Sequence, residues 1–320
     1  MVHKQLGVVF PGQGSQSVGM LREFSDLPNG SFANSQIVET YAEASSVLGV
    51  DLWQLVQEGP EEKLNKTEHT QPAMLAAGVA MWRLWRSQGG VLPARMAGHS
   101  LGEYTALVCA EAIGFKEAIL LVADRGRYMQ EAVPEGIGAM AAILGLAEEQ
   151  VAAVCAVAAE ADVVTPVNLN APGQVVVAGD RSAVLRAIDQ AKKLGAKRAI
   201  LLPVSVPSHC SLMMEAAQKL RIRLENVSFS TPKIPVINNV DVATPTEPSE
   251  IRDALARQLH SPVRWVECVQ AMAKAGIAHL IECGPGKILS GLNKRIEKGI
   301  ETYPLSDPNG LRNTLERFAR

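Results

Sequence analysis

A serine between two glycines is the sharpest chemical signal in the chain. In Gly98-His99-Ser100-Leu101-Gly102 the pattern G-x-S-x-G stands between an apolar run that predicts a strand and a periodic run that predicts a helix. Small residues permit the tight turn that pushes a serine hydroxyl outward, and the amino end of the following helix favours developing negative charge. A plain strand-to-helix turn has the same composition, so Ser100 becomes a candidate nucleophile only if a base accompanies it.

Six histidines are available: His3, His69, His99, His209, His260 and His279. His99 adjoins the serine, but neighbouring side chains on a sharp turn diverge, which makes it a support for the turn. His209 is better placed, in the exposed-looking loop Val206-Pro-Ser-His-Cys210 that leads into a helix, and the order serine then histidine occurs among known catalytic arrangements. A helix amino end would keep its imidazole neutral and able to accept the serine proton. His260, before Ser-Pro, is the reserve. Cys210 has no base placed independently of it and is expected simply to pack.

Two further features bear on a ligand. The loop Phe10-Pro-Gly-Gln-Gly-Ser-Gln16 has glycines that let backbone N–H groups approach a ligand, which suits an oxyanion hole or a phosphate site. As a dinucleotide fingerprint it fails, because Gly12 and Gly14 fit but the last position is Ser17, and no G-K-[ST] is present. Arg125 has Leu121, Val122, Tyr128 and Met129 as its helical neighbours, so a guanidinium stands within an apolar stripe. It requires an anionic partner, either an internal Asp or Glu or the carboxylate of a substrate. Arg127, by contrast, has Asp124 and Glu131 beside it and reads as a solvated helix pair.

Composition limits the setting. The 320 residues carry 31 Lys+Arg against 33 Asp+Glu, a net charge of −2, so no chain-wide basic footprint for nucleic acid exists. With hydrophobic residues at 47% the chain is not disordered. Five scattered cysteines without C-x-x-C suggest neither a disulfide framework nor a metal site, and point to a reducing compartment. No apolar run approaches the ~20 residues of a membrane span, and Leu6 to Phe10 is too short for a signal core, so a cytoplasmic protein without membrane contact is expected. Nothing demands more than a monomer.

Strand and helix alternate along the chain. Leu6 to Phe10 predicts a buried strand, Ile37 to Leu48 a helix, Pro72 to Arg86 a helix with proline at its first position and Trp82 and Trp85 in the core. A strand near Arg95 to Gly98 precedes helices at Leu101 to Ile113 and Lys116 to Ala132. The middle then reads Gly138 to Leu144 (strand), Glu148 to Ala158 (helix), Val163 to Asn170 and Gln174 to Ala178 (strands), Ser182 to Leu194 (helix) and Ala199 to Val204 (strand). That order, βαββαβ, is the ferredoxin-like unit. A helix from Ser211, a strand at Ile234 to Asn238, helices at Ile251 to Leu259 and Val263 to Ala273, a strand at Ile277 to Glu282 and a last basic helix after Gly-Pro-Gly complete the chain. The expected class is α/β: a large α/β-hydrolase-like domain with a parallel sheet, 1–133 and 205–320, plus a small inserted ferredoxin-like subdomain, 134–204. The stretch Leu27 to Ser35, rich in Asn, Gly and Ser, reads as a variable loop.

Taken in order, Phe10-Pro-Gly-Gln-Gly-Ser15, Gly98-His-Ser-Leu-Gly-Glu-Tyr104, Arg125-Gly-Arg127, Val206-Pro-Ser-His209, Gln258-Leu259 with Pro262-Val-Arg-Trp265, and Glu282-Cys-Gly-Pro-Gly286 resemble the malonyl-CoA:acyl carrier protein transacylases of fatty acid synthesis. The likeness runs from about residue 6 to 295. It implies that Ser100 attacks the malonyl thioester with His209 as base, that the backbone N–H groups of Gln13 and Leu101 hold the oxyanion, and that Arg125 pairs with the malonyl carboxylate. It further implies that the main-chain carbonyl of Gln258 orients the histidine, with His99 and Met129 supporting the site. The implied reaction passes malonyl from malonyl-CoA to Ser100, releases CoA, and hands the acyl group to the phosphopantetheine thiol of acyl carrier protein, with no metal or other cofactor.

The alternative is a serine hydrolase, an esterase or thioesterase using the same Ser-His pair with water as acceptor; Arg125 favours transfer, because it can fix a charged acyl group before a thiol. A decayed, non-catalytic carrier-binding module conflicts with the intact Ser100 and His209, and a nicotinamide enzyme falls with the failed glycine fingerprint. Lys192, Lys193, Lys197 and Arg198, or Lys287, Lys294 and Arg295, could offer an acidic carrier a basic patch, although such runs are more often solvated faces.

Overall fold

A computed structural model describes residues 2–25, 32–204 and 206–318. Two sheets organise it. The larger has the order β7-β2-β1-β8-β9, built from β1 (Val2–Phe10), β2 (Leu92–Gly98), β7 (Val236–Ile237), β8 (His279–Glu282) and β9 (Glu301–Pro304), with every neighbouring pair parallel. β1 is central and its last five residues, Leu6 to Phe10, are buried, as a strand covered on both faces requires. In register, Phe10 stands opposite Gly98 and Val9 opposite Glu282. The Gln13 loop, the Ser100 turn and the Gly-Pro-Gly turn therefore leave side by side from the carboxyl edge, where open parallel sheets bind ligands.

The smaller sheet is antiparallel, ordered β4-β5-β3-β6, from β3 (Gly138–Leu144), β4 (Val164–Ala171), β5 (Gln174–Asp180) and β6 (Arg198–Leu201). Its strands alternate. Ala141, Ile143, Val175 and Val177 face the helices Glu148–Ala159 and Arg181–Lys193, whereas Met140, Val176 and Ala178 turn the other way and cluster with Val167 and Cys210. This period of two gives the sheet one face for its own core and one for the neighbouring elements around His209. Val263, between the helices Pro248–Gln258 and Trp265–Lys274, bridges to the edge of the smaller sheet: its carbonyl accepts the Leu169 N–H at 3.0 Å and its N–H donates to the Val167 carbonyl at 2.8 Å.

The structure departs from the sequence-based expectations at several points. The helix expected to begin at Pro72 spans Thr67–Ser87 with Pro72 inside it. Proline's missing N–H withdraws the Glu68 carbonyl's intrahelical partner, yet the start is anchored upstream, where Thr70 Oγ1 donates to the Leu64 carbonyl at 2.6 Å. Trp82 and Trp85 are core, as expected. The helix after Ser100 ends at Cys109 rather than Ile113, because Glu111 takes a positive φ of 59° and turns the chain. The strand expected at Ile234 to Asn238 shrinks to Val236–Ile237, since Asn238 and Asn239 are engaged elsewhere. The basic helix Ile288–Ile296 is not the last element; β9 and the helix Pro308–Phe318 follow it. Helices Leu52–Glu58 and Glu61–Leu64 were not anticipated. Of the expected loop 27–35, residues 27–31 lie outside the described residues and the helix Phe32–Leu48 begins directly after them. Among the described residues no helix is long and apolar enough to cross a membrane.

Candidate active site

The Ser100 turn is built by close backbone contact. A Cβ on Gly98 would lie 1.8 Å from the Gly102 carbonyl carbon, and one on Gly102 would lie 2.1 Å from the Phe10 carbonyl oxygen. Only glycine fits at either place. Ser100 itself has φ 51° and ψ −110° and immediately precedes the helix Leu101–Cys109, so its hydroxyl is thrust out at a helix amino end. Asn239 clamps the turn, accepting the Ser100 N–H at 2.7 Å through Oδ1 and donating to the Gly98 carbonyl at 2.8 Å through Nδ2.

His209 meets the serine, with Nε2 at 2.7 Å from Ser100 Oγ. Its Nδ1 lies 2.7 Å from the main-chain carbonyl of Gln258. A carbonyl can only accept, so Nδ1 carries the proton and Nε2 is left to accept from the serine O–H. The histidine is 3% exposed, not exposed as its loop context suggested. Burial foremost, and then the nearby Arg125 guanidinium, push its pKa down to about 3, so it is neutral.

Arg125 comes from the helix Phe115–Ala132 and is 1% exposed. Its Nη1 donates to Gln71 Oε1 at 2.7 Å, and its Nη2 to Gln258 Oε1 at 3.1 Å and to Ser100 Oγ at 3.4 Å. Its Nε has no partner among the described residues, and the Tyr104 ring lies 5.3 Å from the guanidinium carbon. None of the ion pairs formed among the described residues includes it. Its direct partners are thus neutral amides, and the internal carboxylate considered from sequence is present only at one remove: Glu103 acts on Arg125 electrostatically from the far side of the shared Gln258 amide. Arg127, as expected, pairs with Asp124 and Glu131 at the surface.

These groups line a cleft of about 390 Å³ together with Gln13, Leu101, His99 and Met129. The Gln13 side chain donates to Thr67 Oγ1 at 3.3 Å, and neither the Gln13 N–H nor the Leu101 N–H has an acceptor among the described residues. His99 reaches the smaller sheet, its Nε2 2.8 Å from Asn170 Oδ1, and Met129 Sδ receives the Gln71 amide at 3.4 Å. Gly284, in the Gly-Pro-Gly turn, stands against Pro11 at the base of the Gln13 loop. His260 does not line the cleft. Cys210 is packed away, its Sγ donating to the Pro207 carbonyl at 3.2 Å, and burial lifts its thiol to about 11. Both candidate basic patches are exposed, although Arg295 is tied to Gln174 Oε1 and the Pro172 carbonyl. Among the described residues no cluster of potential metal ligands occurs.

Four polar residues of the site escaped the sequence reading: Gln71, Glu103, Asn170 and Asn239. Gln71 carried the same signal as Arg125, a polar side chain at helical spacing from Met74 and Leu75. Glu103, three residues past the serine, is buried and accepts from the Asn239 N–H at 2.9 Å and from Gln258 Nε2 at 2.8 Å; burial raises its carboxyl to about 7. Asn170 ends a predicted strand and Asn239 follows one, and neither position gives a sign of partners so far along the chain.

A serine hydroxyl on a strand-to-helix turn, with a neutral imidazole and a buried guanidinium within reach of it, is the set of groups that an acyl-transferring serine site needs. The family profile described as acyl transferase domain matches residues 8–302. The chain is 56% identical over 312 residues to the malonyl CoA-acyl carrier protein transacylase of Salmonella typhimurium, covering 97% of this chain and 99% of that protein. Against the Bacillus subtilis protein of the same name the identity is 41% over 314 residues, covering 98% and 96%. Among solved structures, the malonyl-CoA:acyl carrier protein transacylase of Xanthomonas oryzae pv. oryzae aligns with a TM-score of 0.96 at 52% identity, over 100% of both chains. A malonyl-transacylase in complex with a type II polyketide synthase acyl carrier protein aligns with a TM-score of 0.95 at 53% identity, over 98% of this chain and 99% of that one. The chain belongs to the acyl transferase domain family, among its malonyl CoA-acyl carrier protein transacylases.

Proposed function

We propose that this enzyme moves a malonyl group from malonyl-CoA to the phosphopantetheine thiol of acyl carrier protein, supplying fatty acid biosynthesis, with Ser100 as the acyl carrier. The observation that carries the reading is Arg125, a buried guanidinium faced by amides and 3.4 Å from the serine oxygen. A buried cation whose direct partners are neutral, with Glu103 acting on it only from beyond the Gln258 amide, is costly, and a carboxylate bound beside it relieves that cost while placing the rest of the acyl group at Ser100. Acetyl groups lack that anchor.

In the first half-reaction Ser100 Oγ attacks the thioester carbonyl as His209 Nε2 takes the hydroxyl proton. The oxyanion accepts from the Gln13 and Leu101 N–H groups. The C–S bond then breaks and His209 returns the proton to the CoA sulfur. In the second half-reaction the carrier thiol gives its proton to His209 and its sulfur attacks the seryl ester. The C–O bond breaks and the proton goes back to Ser100. Gln258 orients His209 through its main-chain carbonyl, and His99 and Met129 support the cleft walls. No metal or other cofactor enters these steps. Hydrolysis by the same pair is disfavoured by Arg125 and by the transacylase names of the relatives.

We read 1–133 and 205–320 as one α/β-hydrolase-like domain and 134–204 as a ferredoxin-like subdomain, a reading supported by the separate cores and by the βαββαβ order of the second. A monomer in the cytoplasm accords with it. The test is brief incubation with malonyl-CoA followed by mass spectrometry of the intact chain and its peptides. A malonyl adduct on the Ser100 peptide, lost in Ser100→Ala and discharged by acyl carrier protein, is expected; CoA release without adduct or acceptor would overturn the reading.

A further inference from the structure

The Glu103 carboxylate lies behind the site and makes no hydrogen bond to Ser100, His209 or Arg125. Its position is nevertheless singular. One oxygen, Oε2, accepts two N–H groups, the main-chain N–H of Asn239 at 2.9 Å and the side-chain Nε2 of Gln258 at 2.8 Å. Each of those residues then holds part of the site. Asn239 takes the Ser100 N–H at 2.7 Å, and Gln258 Oε1 takes Arg125 Nη2 at 3.1 Å.

The direction of the Gln258 amide is the critical point. Its two ends are nearly alike in shape and opposite in chemistry. Arg125 can only donate, so it needs the oxygen; if the amide were turned over, two N–H groups would face each other in a buried place. Two other acceptors face Nε2 in the same sense but at longer distances, the Ser100 carbonyl at 3.2 Å and Asn239 Oδ1 at 3.4 Å. The short contact to Glu103 supplies the acceptor that fixes Nε2 inward and leaves Oε1 for the guanidinium.

We infer that Glu103 is a positioning residue for acyl-group selection: it sets the Gln258 amide, and through it the Arg125 guanidinium, while separately bracing the serine turn through Asn239. The inference rests on the malonyl reading of the site. It divides into two branches with different consequences. The Asn239 branch acts on Ser100 and so affects every acyl-CoA alike, whereas the Gln258 branch acts on Arg125 and affects only an acyl group with a carboxylate. The ratio of malonyl to acetyl loading therefore isolates the second branch from any general structural damage.

The experiment measures serine acylation by malonyl-CoA and by acetyl-CoA for the full chain, Glu103→Ala and Glu103→Gln, with folding checked by circular dichroism. In Glu103→Ala the malonyl:acetyl ratio is expected to fall by about tenfold or more, the loss of the short acceptor contact that holds the buried Gln258 amide. Glu103→Gln keeps an oxygen able to accept both N–H groups and is expected to hold the ratio within about threefold of the parent. Should Glu103→Ala fail to fold, Glu103→Asp, which draws the acceptor back by one methylene, reads the same ratio, and a fall there supports the inference. A ratio unchanged in the Ala variant, or in the Asp variant standing in for it, overturns the inference even if both rates drop together. So does a Gln variant as poor as the Ala variant, because charge and not acceptor geometry would then be responsible. A parent enzyme without malonyl preference would overturn the underlying reading and this inference with it.

Discussion

The Nε2 atom of His209 stands 2.7 Å from the Oγ of Ser100, although 109 positions separate the two residues in the chain. Both have positive φ, 51° for Ser100 and 67° for His209. Two non-glycine residues in that sparsely populated region, facing each other, mean that the backbone fixes the pair, at a cost of about 1–3 kcal/mol each by general experience. Removing the base should therefore leave a serine still correctly presented. His209→Gln is expected to slow malonyl loading by about 10²–10⁴-fold, the usual range for a general base, with thermal stability far less affected. Single-turnover CoA release measures the first and a melting curve the second.

Arg125 should act on selection more than on chemistry. Arg125→Ala is expected to reduce malonyl-CoA loading by about tenfold to a hundredfold, as befits lost hydrogen bonds to a charged group, while acetyl-CoA loading falls less. Competition between the two thioesters, read by intact mass, checks it. An unchanged preference would remove Arg125 from the recognition of the carboxylate.

Two buried groups couple the site to pH in opposite senses. His209 is held at about 3 against an ordinary value of 6.5, so the unfolded chain binds its proton more readily. The stability it contributes is complete above pH 6.5 and is lost as pH falls toward 3. Glu103 is lifted from 4.5 to about 7; its contribution is complete below 4.5 and is lost as pH rises through 7. The melting temperature of His209→Gln should consequently fall less on acidification from pH 6.5 to 4 than that of the parent. In the parent, malonyl loading should show no acid limb from the histidine centred at its ordinary value.

The turn glycines give a test of packing. Gly102→Ala would put a Cβ 2.1 Å from the Phe10 carbonyl oxygen, and backbone must move to admit it, so a loss of about 3 kcal/mol or more is expected. Gly291, within the helix Ile288–Ile296 and with nothing inside 4 Å of its notional Cβ, is the control; alanine there should be neutral or stabilising by up to about 1 kcal/mol. Urea midpoints at equal slope distinguish the two.

What could be read from the sequence follows the range of the interactions. The serine turn, the βαββαβ order and the apolar setting of Arg125 are local patterns, each contained within a strand, a turn or a helical stripe. His209 was found through its loop and its order after Ser100, but the burial that keeps it neutral depends on surrounding elements and could not be read. Gln71, Glu103 and Asn239 act through partners far along the chain: Glu103 meets a residue 155 positions away and Asn239 one 139 positions away. Pro72 misled because proline's preference for a first helical turn outweighed, in a local reading, the anchoring of the turn before it. The strand Glu301–Pro304 is short, half-exposed and at the sheet edge, which leaves little periodicity to detect.

Gln258 serves the site twice, by its main-chain oxygen toward His209 and by its side-chain oxygen toward Arg125. The first belongs to the peptide unit and survives any substitution; the second belongs to the amide and does not. On the proposed reading, proton transfer and acyl choice are thus inscribed in separate parts of a single residue. A lineage that altered the side chain at 258 would retain a tuned histidine while its acyl preference drifted, so this is a place where new substrates could be acquired without first surrendering the catalyst.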